Sequence, residues 1–162
     1  MRKGISRLCL TIGLALATAA FAHAADFDLT AGASATAGVR WTPALFFSAA
    51  GTPADDGHAH FAPIASAGFI GSRSTDVHDL DRNVFLAGGG VRYGSTQGLF
   101  VSEQIVATST RTDALSSRFE FMTSVSWQRS RYVLLARHIS NAHLLGNGKN
   151  LGETMLLAGV QF

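Results

Sequence analysis

From Phe27 to Trp41 the chain alternates almost without a break. Phe27, Leu29, Ala31, Ala33, Ala35, Ala37, Val39 and Trp41 fall on one parity; Asp28, Thr30, Gly32, Ser34, Thr36, Gly38 and Arg40 fall on the other. Successive side chains of a strand point to opposite faces, so this period of two gathers the apolar residues on one face. Strands of soluble proteins run about 5–6 residues. A segment this long fits a tilted strand crossing a membrane, which takes about 9–11 residues. Arg118 to Trp127 repeats the pattern, with Phe119, Phe121, Thr123, Val125 and Trp127 opposing Arg118, Glu120, Met122, Ser124 and Ser126. Asn83 to Tyr93 follows it more weakly. Leu99 to Thr110 departs from it, because Glu103 shares the parity of Leu99, Val101 and Ile105; a bulge would repair this.

Read this way, the chain predicts strands at 26–41, 43–50, 60–71, 83–94, 98–110, 117–128, 131–141 and 153–162. The expected fold is all-β, an eight-stranded antiparallel transmembrane β-barrel, eight being the smallest common barrel size. The last strand ends on Phe162, and a terminal aromatic on an alternating strand resembles the C-terminal signature of bacterial outer-membrane proteins. With both termini periplasmic, the short connections at 94–98 and 128–130 become periplasmic turns, and the longer segments 72–82, 111–116 and 142–152 face outward. The first hairpin fits least well, with a short second strand and a long periplasmic turn over 51–59. A barrel of this size fills with side chains. Arg40, Arg92, Arg118 and Glu120 fall on the inward parity and are expected to form a structural network, with no pore.

The first 24 residues change the charge picture. Arg2, Lys3 and Arg7 precede an apolar stretch from Leu8 to Phe21, and Ala22-His23-Ala24 has the small-x-small form of a cleavage site. Residues 1–24 are expected to be a signal peptide and residues 25–162 the barrel domain. The chain's 13 basic residues then fall to 10 against 11 acidic, so no nucleic-acid partner follows from charge. The one cysteine, Cys9, lies in the signal, and the exported domain uses no disulfide. No apolar run near 20 residues follows the signal, so no membrane helix is expected.

Chemistry concentrates at the end of the seventh strand. His138 and Ser140 are two apart, so they point the same way, about 6.5 Å apart along the chain. A serine hydroxyl is a weak nucleophile without such a base. Arg131 and Arg137 lie on the opposite parity and favour the lumen, since arginine in hydrocarbon costs about 2–4 kcal/mol. His138 and Ser140 therefore face the lipid side, at the outer end of an outward-running strand. A third group must orient the imidazole. Glu153 is the one carboxylate after Ser140, at the start of the eighth strand. Its parity is opposite to that of Phe162 unless the strand becomes regular only after Thr154. A His-x-Ser pair alone is a weak signal, and more often a polar pair closing a strand at a membrane rim.

The longer string Arg137-His138-x-Ser140-Asn141-Ala142, a Gly/Asn-rich loop, a glutamate and a closing strand ending in Phe162 resembles the PagL family of lipid A 3-O-deacylases. Ser117-Arg118-Phe119-Glu120-Phe121 resembles the strand preceding that motif, so the resemblance covers roughly residues 116–162. It implies an outer-membrane esterase, with its active site facing the outer leaflet, that hydrolyses the ester-linked 3-hydroxyacyl chain at position 3 of lipid A. It places the family's histidine and serine on His138 and Ser140. Its acid falls on Glu153, with the intervening loop a residue or so longer here, completing a Ser-His-Glu triad. The residue implicated in the oxyanion hole falls on Asn141, with backbone amides around Asn141 and Ala142 as donors. It implies no metal or cofactor; the partners are lipid A and the outer membrane, and a homodimer stays open.

Two rivals remain: a non-catalytic small barrel serving as adhesin or scaffold, and an outer-membrane esterase of the phospholipase type. His58-Ala59-His60 beside Asp55 and Asp56 could bind a metal but reads as a solvated turn. His143 reads as a loop residue, and Asp76, Asp79, Asp81 and Arg82 as a solvated outer loop. Trp41, Tyr93, Trp127 and Tyr132 suit interfacial girdles.

Overall fold

The computed structural model describes residues 25–36, 39–52, 58–73, 80–95, 97–141 and 151–162. The signal expected over 1–24, Asp55, Asp56, Asp76, Asp79, Ala142 and His143 lie outside them. Eight strands run in chain order: β1 Ala25–Thr36, β2 Val39–Gly51, β3 His60–Ile70, β4 Val84–Gly94, β5 Gly98–Thr108, β6 Phe119–Arg129, β7 Tyr132–Ser140 and β8 Glu153–Gln161. Each pairs antiparallel with the next, and β8 returns to β1, closing the barrel. Closure leaves no free sheet edge. The connections 71–83, 109–118 and 141–152 share one rim, called here the loop rim; the short connections 95–97 and 130–131 and both strand termini share the other, the turn rim.

The first hairpin corrects the sequence expectation. The segment expected as one strand over 26–41 is divided, with β1 ending at Thr36 and β2 beginning at Val39. Across the hairpin even residues pair with even ones, as in Asp28 with Ser48, Thr30 with Phe46 and Ser34 with Thr42. Paired residues share a face, so the inward parity runs through the turn and the alternation gives no sign of it. Thr36 pairs with Val39, and the register slips between Ser34 and Thr36. At the start of β2, Arg40 takes a left-handed backbone conformation (φ 48°) and is exposed, where an inward side chain was expected. Arg118 is exposed too, because it precedes β6 and escapes its alternation. Arg92 and Glu120 are buried inside. Arg92 Nη2 donates to Asp26 Oδ2 at 3.1 Å and to the Gly51 carbonyl at 3.2 Å. Glu120 accepts from the Ser117 amide and hydroxyl at 2.9 and 3.0 Å.

The interior is packed, as its width dictates. Phe46, Met122, Ile139, Met155 and Leu157 fill the middle. A Cβ at Gly68 would come within 2.3 Å of the Phe46 ring, so the absent side chain makes room for the aromatic. Arg137 lies 4.3 Å above the same ring and donates to Ser124 Oγ at 2.9 Å. Leu80, Ala114 and Leu115, from the loop-rim connections, are fully buried and cap the mouth. Buried Ser48, Ser66, Ser102, Ser126 and Gln128 add a polar lining. Outside, the wall is apolar: Leu29, Leu45, Val101, Ile105, Val125, Leu134 and Leu156 are all exposed. Trp41, Tyr93, Trp127 and Tyr132 are exposed on this outer face, Trp41 toward the loop rim and the other three toward the turn rim. The molecule thus packs apolar and polar side chains within and presents hydrocarbon without.

Candidate active site

The alternation of β7 buries Val133, Leu135, Arg137 and Ile139 and exposes Tyr132, Leu134, Ala136 and His138. Ser140, last in the strand, is half-buried on the side of His138. Both stand at the loop rim. Nearest neighbours across the sheet come from register: His138 pairs with Thr123 on β6 and Thr154 on β8, and Ser140 pairs with Phe121. Facing side chains of an antiparallel pair are about 4.5–5.5 Å apart at Cβ, so they interact directly.

The partner of the imidazole is Thr154. His138 Nδ1 lies 2.9 Å from Thr154 Oγ1. When the ring nitrogen carries the proton it donates to the hydroxyl oxygen, leaving Nε2 as the base. The other edge of the ring rests against Gly152: a Cβ there would come within 2.7 Å of Cε1 and 2.9 Å of Nε2. Ile139 pairs with Glu153, so continuing that register puts Gly152 across from Ser140. Nε2 therefore stands at the level of Ser140. The two side chains make no hydrogen bond to each other here, and substrate entry would have to bring them together.

Glu153 is not brought to His138. It lies on the opposite side of the wall, fully buried in the barrel. Ser34 Oγ donates to Oε2 at 2.5 Å, and Thr36 donates to Oε1. Arg73 reaches in from the connection after β3, forming an ion pair with Oε1 and donating from Nη1 to Oε2 at 3.2 Å. The reason is the pleat: Thr154 takes the outward position and its neighbour must turn inward. Asn141 is also fully buried, its Nδ2 donating to Ser116 Oγ at 3.2 Å. Its side chain braces the β5–β6 connection and does not stand beside Ser140. Ala142 lies outside the described residues.

The sequence reading missed one residue that matters, Thr154, and took another, Glu103, as the sign of a bulge. Thr154 shares the parity of Phe162 and opens the strand beside His138; a search confined to carboxylates passed over it. Glu103 faces outward without any bulge and accepts from Thr123 Oγ1 at 2.5 Å. A polar row thus crosses four strands, from Glu103 through Thr123 and His138 to Thr154. Below it, toward the turn rim, the next outward rows are apolar. Val125, Ala136 and Leu156 form the next outward row, and with Leu99, Trp127 and Leu134 they line a recess of about 360 Å3. Ala136, the smallest of these, sits between two larger residues and forms its floor.

No family model matches the chain, and no curated protein matches it. Among solved structures it is similar to Ail, the attachment invasion locus protein of Yersinia pestis, with 11% identity, 85% of this chain and 96% of that chain covered, and a TM-score of 0.48.

Proposed function

We propose that this chain is a lipid A 3-O-deacylase of the outer membrane, working by serine-esterase chemistry at Ser140. The observation that carries the reading is the shared outward placement of His138 and Ser140 at the loop rim, directly above an apolar recess in the same wall. An exterior of exposed Leu, Val, Ile and aromatic side chains covers the outside of the barrel, and hydrocarbon is the medium that suits it. A nucleophile on that surface meets lipid from the side and needs no entry into the barrel.

In this reading the fatty chain lies in the recess beneath His138, and its ester carbonyl reaches Ser140. His138 Nε2 accepts the Ser140 proton as Oγ adds to the carbonyl carbon. Collapse of the tetrahedral intermediate breaks the bond to the sugar oxygen, which takes that proton and leaves as the free hydroxyl. Water, deprotonated by the same imidazole, then releases the fatty acid and restores Ser140. Thr154 holds the Nδ1 proton throughout, so the base presents the correct nitrogen. A hydroxyl orients the ring but adds no negative charge, so a slower catalyst than one with a carboxylate partner is expected.

The test is lipid A mass spectrometry after expression in an outer membrane whose lipid A carries an ester-linked 3-hydroxyacyl chain, repeated on detergent-solubilised barrel mixed with lipid A. Loss of one 3-hydroxyacyl mass with the wild type and none with Ser140→Ala supports the reading. Unchanged lipid A in both settings sinks it and leaves a non-catalytic barrel. Fatty acid released from glycerophospholipid instead redirects it to the phospholipase type.

A further inference from the structure

A cleft of about 420 Å3 opens at the loop rim between the end of β5 and the start of β6, lined by Thr108, Ser109, Thr110, Arg111 and Arg118. It is separate from His138 and Ser140. Both arginines are exposed, and neither makes an ion pair with a described residue. Their backbone is nevertheless fixed. The Thr108 amide and hydroxyl donate to the carbonyls of Arg118 and Ser117, each at 2.9 Å. The Thr112 amide donates to the Leu115 carbonyl at 2.9 Å, and the Leu115 amide to Thr112 Oγ1 at 3.1 Å, closing a turn whose Leu115 side chain is wholly buried. The Ser109 hydroxyl accepts from the Phe85 amide at 3.0 Å, which leaves its own proton to donate.

Two guanidiniums on a pinned frame around one recess repel each other, and an anion between them relieves that repulsion. Planar donor forks beside hydroxyl donors suit a tetrahedral oxyanion of more than one charge. We propose that this cleft binds a phosphomonoester, and that its source is the phosphorylated headgroup of a lipid held on the barrel wall. The placement fits. Ser140 is level with Phe121 and Ile105; Thr108 ends β5 three residues beyond Ile105, and Arg118, just before β6, is three residues from Phe121. That is about 10 Å toward the loop rim, the direction in which a lipid's headgroup lies when its chains run down the wall. The same connection also touches the candidate active site, since the Gly152 amide donates to the Ala114 carbonyl at 3.0 Å. The headgroup assignment rests on the lipid A reading; the anion site does not.

Binding is measured with the full barrel in detergent micelles, carrying Ser140→Ala so that no substrate is consumed. Three probes are titrated by calorimetry: phosphorylated lipid A, lipid A stripped of its phosphates, and inorganic phosphate. Phosphorylated lipid A should bind about 10-fold more tightly than the stripped form, and the double substitution Arg111→Gln, Arg118→Gln should abolish that preference. Heat-modifiable gel mobility reports that the variant remains a folded barrel. Equal binding of the two lipids, or a preference that survives the double substitution, overturns the headgroup proposal. Arginine-dependent binding of inorganic phosphate without discrimination between the lipids keeps the anion site and overturns the headgroup as its source. Failure of the wild type to hydrolyse lipid A leaves this comparison readable, because no turnover enters it.

Discussion

The imidazole of His138 lies against the bare Cα of Gly152, so close that a methyl group there would meet ring atoms at 2.7 and 2.9 Å. Gly152 also has a left-handed backbone (φ 70°), a conformation that costs an L-residue about 1–2 kcal/mol. Gly152→Ala is therefore expected to leave a folded barrel, slightly less stable, in which His138 is displaced. If His138 is the base, an error of about 1 Å in its position lowers ester hydrolysis about 100-fold. Lipid A mass spectrometry on folded protein measures this; hydrolysis at the wild-type rate would show that the ring's position does not matter.

Among the described residues, Thr154 is the one group hydrogen-bonded to His138 Nδ1. Thr154→Val keeps the shape and removes the oxygen. A hydrogen bond of this kind contributes about 0.5–1.5 kcal/mol, so turnover is expected to fall about 3- to 10-fold, with Thr154→Ser restoring most of it. Wild-type turnover in Thr154→Val with a loss in Thr154→Ser would point to packing by the methyl group instead.

The barrel was legible because a period of two labels the wall's faces, and because Arg137 on one face forces His138 and Ser140 onto the other. Eight strands followed from repeated alternation and from turn lengths. The first turn was not legible, because even residues pair with even across β1 and β2 and the pattern passes through it unbroken. Arg40 misled because its left-handed backbone breaks the alternation at the start of β2, and Arg118 because it precedes β6. In the candidate site, two lines of inference about Glu153 pulled apart. Elimination made it the partner of His138, whereas its parity against Phe162 put it inside, and the structure follows parity. What occupies the partner's place is a threonine, whose role depends on a neighbouring strand's register and leaves no local mark in sequence.

Glu103 is an exposed carboxylate among apolar neighbours on the outer face, with Thr123 as its donor. Glu103 is the sixth of the eleven residues of β5, where a lipid-facing charge costs up to about 2–4 kcal/mol for Arg or Lys and less for Glu, offset in part by the Thr123 bond. Glu103→Leu is thus expected to raise the stability of the barrel by up to about 1 kcal/mol in urea unfolding from lipid vesicles. A destabilised variant would mean that the Glu103–Thr123 bond holds β5 to β6 more strongly than exposure suggests.

Glu153 and Arg73 form a buried ion pair near the mouth of the barrel, with side chains 0% and 6% exposed. Removing one member of such a pair leaves the other charge uncompensated and costs about 3–5 kcal/mol, whereas replacing both restores much of the loss. Glu153→Ala should therefore unfold at markedly lower urea, and Glu153→Gln with Arg73→Met should recover most of the difference. Hydrolysis per folded barrel should stay close to wild type in the double variant, because Glu153 faces Ser34 and Thr36 on the far side of the wall from His138. The contrary result is equally clear: a double variant of normal stability that no longer cleaves lipid A would make Glu153 an essential partner of the imidazole, reached through a β8 arrangement different from the one seen here. Stability and turnover measured on the same preparations separate the two roles.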